Sequence, residues 1–271
     1  MSISSSPSWT GAGLTDIGRV RKMNQDAFSV TNELQLWVVA DGMGGHAGGE
    51  VAAQMAVDTI PEYIRNKVTA NLTDPIPAPA LEKLLVEALE WANTLIREKA
   101  SHNPEIKGMG TTVVAVAMTR DNDQHQAVIA HAGDSRAYVL RDQTLSLWTK
   151  DHTLMEDQLD LKIITPDQVK THPLRHVVTR GLGIEPQALP TIKTYSLDPT
   201  DILLLCSDGL TKMLSDAEIQ TLMKREAPSI EEMAQTFVKT ANRLGGEDNT
   251  TVVVIGAAPN TIPDDGLPTS E

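Results

Sequence analysis

Two stretches of this chain follow one pattern: a short apolar run stops at Asp-Gly and passes into a helical segment. The first is Leu36-Trp37-Val38-Val39-Ala40 before Asp41-Gly42; the second is Ile202-Leu203-Leu204-Leu205-Cys206, followed by Ser207 and then Asp208-Gly209. Runs of that length and composition read as fully buried strands. The acid that ends each run then sits at the mouth of a core. Gly42, Gly44, Gly45, Gly48 and Gly49 after the first acid allow backbone approaches that side chains would block, and a helix opens at Glu50. Taken singly, Asp-Gly between apolar residues is also a hairpin signal, and a glycine loop ahead of a helix can hold a phosphate with no catalysis.

The pattern gains weight from the rest of the chain. Strands are predicted over 9–16 and 27–31, around a polar connection that packs Arg21, Lys22, Asn24, Gln25 and Asp26 closely. Apolar residues at helical spacing mark 51–65 and then 81–96, two core-building helices. The period changes at Gly110, where β-branched and small residues run to Met118. Strands over 127–132, 136–140 and 145–149 read as an antiparallel meander, with Asp134 in the turn His131-Ala132-Gly133-Asp134-Ser135-Arg136. Residues 151–186, with Pro166, Pro173, His152, His172, His176, Lys170, Arg175 and Arg180, read as a mostly helical insertion ending in a mobile loop. A strand over 190–196, helices over 215–225 and 229–243, and a last buried strand over 250–255 directly after Asp248 complete the pattern. From Ala258 the Pro-rich, acidic tail reads as disordered.

With 271 residues and no long linker, one domain is expected. The net charge of −13, from 36 acidic and 23 basic residues, argues against a nucleic-acid binder. One cysteine, Cys206, excludes an internal disulfide and any cysteine-based zinc cluster, and fits a reducing compartment. No apolar run approaches a membrane span and the N-terminus lacks the layout of a signal peptide, so a cytoplasmic protein is expected.

Asp41, Asp134, Asp208 and Asp248 thus lie at strand ends, and Asp26 just before another strand. Antiparallel neighbours bring the end of one strand beside the start of the next, so Asp208 and Asp248 can meet at one edge. Several carboxylates in one pocket repel unless cations lie between them. For an all-oxygen site the natural cations are Mg²⁺ and Mn²⁺. Two such ions can share a bridging hydroxide and polarise a phosphoryl group for in-line attack. Arg21 can offer a bidentate fork to phosphate. His46, five residues past Asp41, can protonate a leaving alkoxide, or can merely orient a ligand.

These residues fall in motifs that together resemble the metal-dependent Ser/Thr protein phosphatases of the protein phosphatase 2C (PPM) family, compact bacterial type. The resemblance lies in RKMNQD, VVADGMGGHAGGE, GMGTT, AHAGDSRAY, DHT, THPLRHVVTRGLG, LLLCSDGL and GGEDNTTVVV, in the family's order across 13–256. It implies an α+β fold, a central β-sandwich of two antiparallel sheets flanked by helices on both faces, with residues 8–257 as the catalytic domain and a flap over about 151–186. It further implies a Mn²⁺ or Mg²⁺ centre of two core ions, with a weaker third ion in bacterial members. Asp41 is similar to the carboxylate that bridges both ions, Gly42 to the carbonyl ligand, and Asp208 and Asp248 to the other direct ligands. Asp134 resembles the ligand of the third ion, Asp26 the acid that orients water, Arg21 the phosphate binder and His46 the general acid.

The activity implied is hydrolysis of phosphoserine and phosphothreonine in proteins, by a monomer opposing a cognate bacterial Ser/Thr kinase. Two other readings stay open on the residues alone: a hydrolase of small phosphate esters, and a catalytically silent binding module. Gln25 stands where many animal members carry a glutamate ligand, which implies a carbonyl or water-mediated contact and less charge there. The stretch LDLKIITPDQV departs from its relatives, so substrate preference does not transfer.

Overall fold

Side chains alternate across a strand, so a run that is apolar at every position needs a partner on each face. Both runs find two. Leu36, Val38 and Ala40 pack into a cluster with Ala52, Ile60, Leu85 and Leu89, while Trp37 and Val39 enter a second cluster with Leu203, Leu205, Val253 and Ile255. Leu204 and Cys206 join a third with Leu210, Phe237 and Val254. The result is a four-layer α+β architecture, with one core between two sheets and one under the helices on each outer face.

This structure, a computed structural model, describes residues 8–44, 48–68, 75–121, 124–169, 172–224 and 229–257. His46, Lys170, Thr171 and the tail from residue 258 lie outside the described residues. In chain order the elements are β1 (Trp9–Asp16), β2 (Asp26–Thr31), β3 (Leu36–Met43), α1 (Gly48–Lys67), α2 (Ala78–His102), β4 (Gly110–Thr111), β5 (Val113–Asp121), β6 (Gln124–Ala132), β7 (Arg136–Arg141) and β8 (Thr144–Leu147). There follow α3 (Leu154–Asp160), α4 (Pro166–Val169), β9 (Thr191–Leu197), β10 (Ile202–Cys206), α5 (Asp208–Met213), α6 (Asp216–Met223), α7 (Ile230–Leu244) and β11 (Thr250–Ala257). One sheet has the order β1-β11-β10-β7-β8 and the other β2-β3-β5-β6-β9, with β4 bonded to β3. All pairings are antiparallel.

Two expectations need correction. The meander is divided: β5 and β6 pair in one sheet, β7 and β8 in the other. The chain crosses between sheets at Gly133, whose φ of +116° is left-handed and whose absent Cβ would lie 2.6 Å from Thr112 Cβ. A turn that reads locally as a hairpin therefore redirects the chain, and Asp134 sits at the crossing. Residues 151–186 are also less helical than expected, holding among the described residues only α3 and the short α4. Lys162 takes a left-handed φ of 55°, and Val177 and His152 accept backbone bonds from Leu154 and Thr179, folding the segment back on itself. Among the described residues no helix is long and apolar enough to cross a membrane.

Trp37 anchors the central core. Its ring is fully buried, and its Nε1 donates to Asn32 Oδ1 at 2.8 Å. Truncating it to Ala should remove about 3–5 kcal/mol of stability, read as a lowered urea midpoint at an unchanged slope; a shift within error would mean the core does not depend on this ring.

Candidate active site

The strand ends collect acids from separate parts of the chain. Asp26 opens β2 directly opposite Asp41 in β3. Asp208 is the first residue of α5, just past β10, and Asp248 lies just ahead of β11, the antiparallel neighbour of β10. Close backbone approaches draw these segments together. A Cβ on Gly42 would come within 2.1 Å of the Gly49 carbonyl oxygen, and one on Gly209 within 1.9 Å of that of Asn249. Only glycine lets those chains touch.

Hydroxyls and one amide hold the acids in place. Ser207 precedes α5, but its hydroxyl does not cap the helix; Oγ donates to Asp26 Oδ2 at 2.7 Å and accepts from Thr251 N at 3.0 Å. The Asp41 backbone N–H donates to Thr112 Oγ1 at 3.1 Å, and that hydroxyl shares a 2.7 Å hydrogen bond with Ser135, next to Asp134. Asn249 accepts from Gln25 N at 2.8 Å and donates to the carbonyls of Ile17 and Met23, each at 2.9 Å, while its own N–H donates to Asp248 Oδ1 at 2.9 Å. This one side chain fastens the Arg21 loop to the start of β11. Arg21 then reaches Asp248 Oδ2 at 2.8 Å.

Around Asp134, Arg136 grips Asp151 through Nε and a terminal nitrogen at 2.9 and 2.7 Å. His152 accepts from Gly133 N at 3.2 Å and stacks on His131 with centroids 4.5 Å apart. Burial, with His131 and Arg180 beside it, pushes the His152 imidazole down to about 3, so the ring is neutral. The start of the 151–186 segment is thereby latched to the Asp134 turn. Gln25 uses its carbonyl to accept from Gly42 N at 3.0 Å and its side-chain nitrogen to reach the Gly44 carbonyl at 3.3 Å.

The crowding shows in the carboxylates themselves. Burial and then the charges of Asp26, Asp208 and Asp134 hold Asp41 well above the usual carboxylate range, against a lowering by Lys212. Burial pushes Asp26 up to about 6 despite hydrogen bonds from Ser207 and Thr251, with Asp208 and Asp248 adding to the rise. Asp134 is pushed up to about 7 by burial, Asp208 and Asp151. Asp248 goes the other way: burial raises it, but Lys212, Asn249 and Arg21 together carry it below the ordinary value.

This donor set fits divalent metal. Asp26 Oδ1 and Asp208 Oδ1 are buried without a hydrogen-bond partner, which is costly for a carboxylate unless an ion takes the lone pair. All the donors are hard oxygens, as Mg²⁺ and Mn²⁺ prefer. Among the described residues, however, no three His, Cys, Asp or Glu side chains form a ready cage. Lys212 lies between two of the acids instead, its Nζ 2.6 Å from Asp208 Oδ2 and 2.8 Å from Asp248 Oδ2.

Comparison with known proteins decides the family. The sequence model described as protein phosphatase 2C matches residues 18–251. The chain belongs to this family. It is 37% identical over 244 residues to a serine/threonine phosphatase stp of Listeria welshimeri, covering 89% of this chain and 93% of that one. The S. agalactiae serine/threonine phosphatase structure superposes with a TM-score of 0.81 at 30% identity, covering 92% of this chain and 100% of that one. The catalytic domain of the phosphatase PstP, solved in complex with two manganese ions, gives 0.76 at 32% identity and covers 93% and 99%.

Of the residues singled out from the sequence, this protein phosphatase 2C chain gathers Arg21, Asp26, Asp41, Asp134, Asp208 and Asp248 at one end of its sandwich, with Gly42 beside Asp41. Lys212, Ser207, Thr112 and Asn249 were not anticipated as parts of the site. A lysine four residues past Asp208 was a readable cue for Lys212, since that spacing makes helical neighbours.

A carboxyl with a raised folded pKa adds stability below its ordinary value and loses it as pH climbs through the folded value. For Asp134 the loss runs from 3.8 to about 7. In excess chelator, Asp134→Asn should raise the thermal midpoint over the parent by more at about pH 8 than at about pH 5; an equal gain at both would show that Asp134 is not strained.

Proposed function

We propose that this chain is a metal-dependent phosphatase of phosphoserine and phosphothreonine proteins, with residues 8–257 as its catalytic domain. The observation that carries the reading is the meeting of Asp41, Asp208 and Asp248 beside Asp26 and Asp134, with two buried carboxylate oxygens left unpartnered, in a member of the protein phosphatase 2C family. Asp41, the Gly42 carbonyl, Asp208 and Asp248 would hold two divalent ions, and Asp134 a weaker third. When bound, such ions polarise the phosphoryl group and lower the pKa of water. Mn²⁺ and Mg²⁺ both suit the donors, and the manganese-bound PstP relative favours Mn²⁺.

The chain's own groups supply the rest. Asp26, fixed by Ser207, orients the attacking water. Arg21 engages one Asp248 oxygen and keeps other donors of its fork for phosphate. As the water oxygen bonds to phosphorus and sheds a proton, the bond to the serine or threonine oxygen breaks; His46 gives the departing oxygen a proton, and the proton shed by the water restores the imidazolium. The lone buried cysteine suits a reducing compartment. The reading places the enzyme in a bacterial cytoplasm, as a monomer that reverses a cognate Ser/Thr kinase.

Asp208→Asn, like excess chelator on the parent, should cut hydrolysis of a phosphothreonine peptide by roughly two orders of magnitude or more. Turnover that survives either treatment contradicts the reading. The flap bears on substrate choice: Arg175 and Arg180 are exposed there. Replacing both by Ala should raise KM for a phosphopeptide several-fold and leave hydrolysis of a small aryl phosphate nearly unchanged. Equal effects on both substrates would make these arginines supports of the flap.

A further inference from the structure

Lys212 is absent from the sequence motifs and from the roles assigned above, yet among the described residues it makes the shortest ion pair to a candidate ligand, and a second to its neighbour. Its ammonium lies 2.6 Å from Asp208 Oδ2 and 2.8 Å from Asp248 Oδ2. Asp248 Oδ2 also takes Arg21 at 2.8 Å, and Asp248 Oδ1 takes the Asn249 N–H at 2.9 Å, so both oxygens of this acid are engaged. Asp208 differs, with Oδ2 on Lys212 and Oδ1 buried without a partner. An ammonium seated between two carboxylates repels any other cation brought to the same oxygens. Lysine is also the side chain best able to leave: four flexible carbons carry its charge, and Lys212 is about a quarter exposed, with side-chain accessibility of 27%.

We propose that Lys212 is a resident competitor of the divalent ion held by Asp208 and Asp248: it clamps the two acids together until an ion arrives, and must swing away for the ion to load. The inference rests on reading this pocket as a metal centre. Lys212 then does two things that a bystander lysine would not. It steadies the protein when ions are scarce, because a carboxylate pair stripped of its cation is strongly destabilising. It also weakens ion binding, because loading must first break the clamp. The centre is thereby tuned to release its ion at concentrations at which an unopposed carboxylate set would stay filled.

The test strips the full chain with chelator and titrates Mn²⁺ by calorimetry, comparing the parent with Lys212→Met and Lys212→Arg. Met keeps the length of the stem and removes the charge; Arg keeps the charge. Lys212→Met should bind Mn²⁺ at one site more tightly, on the order of tenfold, while its thermal midpoint in chelator falls and the rise on adding Mn²⁺ grows. Lys212→Arg should stay near the parent in both. Unchanged or weaker binding in Lys212→Met overturns the inference. If Lys212→Met does not survive stripping, the Mn²⁺-loaded proteins are titrated with chelator instead. Ion release from the variant should then need more chelator than release from the parent, and release at equal or lower chelator overturns the inference. Equal affinities leave the metal reading standing and remove this inference alone. No uptake by either protein removes both.

Discussion

Like charges held close in a buried pocket set the terms for this molecule. Two carboxylates about 4 Å apart repel by roughly 4 kcal/mol at the effective dielectric of a protein surface, and Asp41 feels Asp26, Asp208 and Asp134 together. One lysine and one arginine cannot offset that much charge. The protein spends several neutral devices on keeping the acids where they are: the Ser207 hydroxyl on Asp26, the Thr112–Ser135 pair behind Asp41, and the Asn249 amide across the Arg21 loop. Such effort is intelligible if the repulsion is to be used, as the proposed function has it, to draw positive ions into the pocket.

The sandwich makes the gathering possible. Asp26 opens β2, Asp41 lies just short of the end of β3, which runs on to Met43, and Asp134, Asp208 and Asp248 fall close to strand ends. Antiparallel neighbours put those points at a common edge. Burial on both faces fixes register firmly, since a slip of one residue would turn Trp37 and Val39 out of the central core. Rigid strands thus carry the precision: Asp26 and Asp41 sit on strands themselves, and Asp134, Asp208 and Asp248 lie no more than two residues from one. The position of Asp134 follows from the same economy: the chain changes sheets at Gly133, which delivers an acid from the crossing to the mouth of the core.

Much of this was legible in the chain. The runs ending at Asp41 and Asp208 announced two-faced strands, because no half-buried strand is apolar at every position. What stayed hidden was tertiary. Period and turn chemistry cannot tell whether β7 pairs with β6 or leaves for the other sheet, as Ala137 and Tyr138 satisfy either arrangement locally. Ser207 looks like a helix cap, and its hydroxyl instead serves Asp26, which lies 181 residues away. Asn249 reads as one more polar residue beside Asp248 until three backbone groups are seen around its amide and a carboxylate oxygen of Asp248 on its own N–H. The flap was overestimated as helix because its polar composition gives little period to judge by.

The most direct test of the account is anomalous scattering from a crystal of the full chain grown with Mn²⁺, recorded at the manganese edge. The account predicts two strong peaks within bonding distance of the Asp41, Asp208 and Asp248 carboxylates, with Lys212 turned away from them. Peaks elsewhere, or none at this cluster at saturating Mn²⁺, would contradict it.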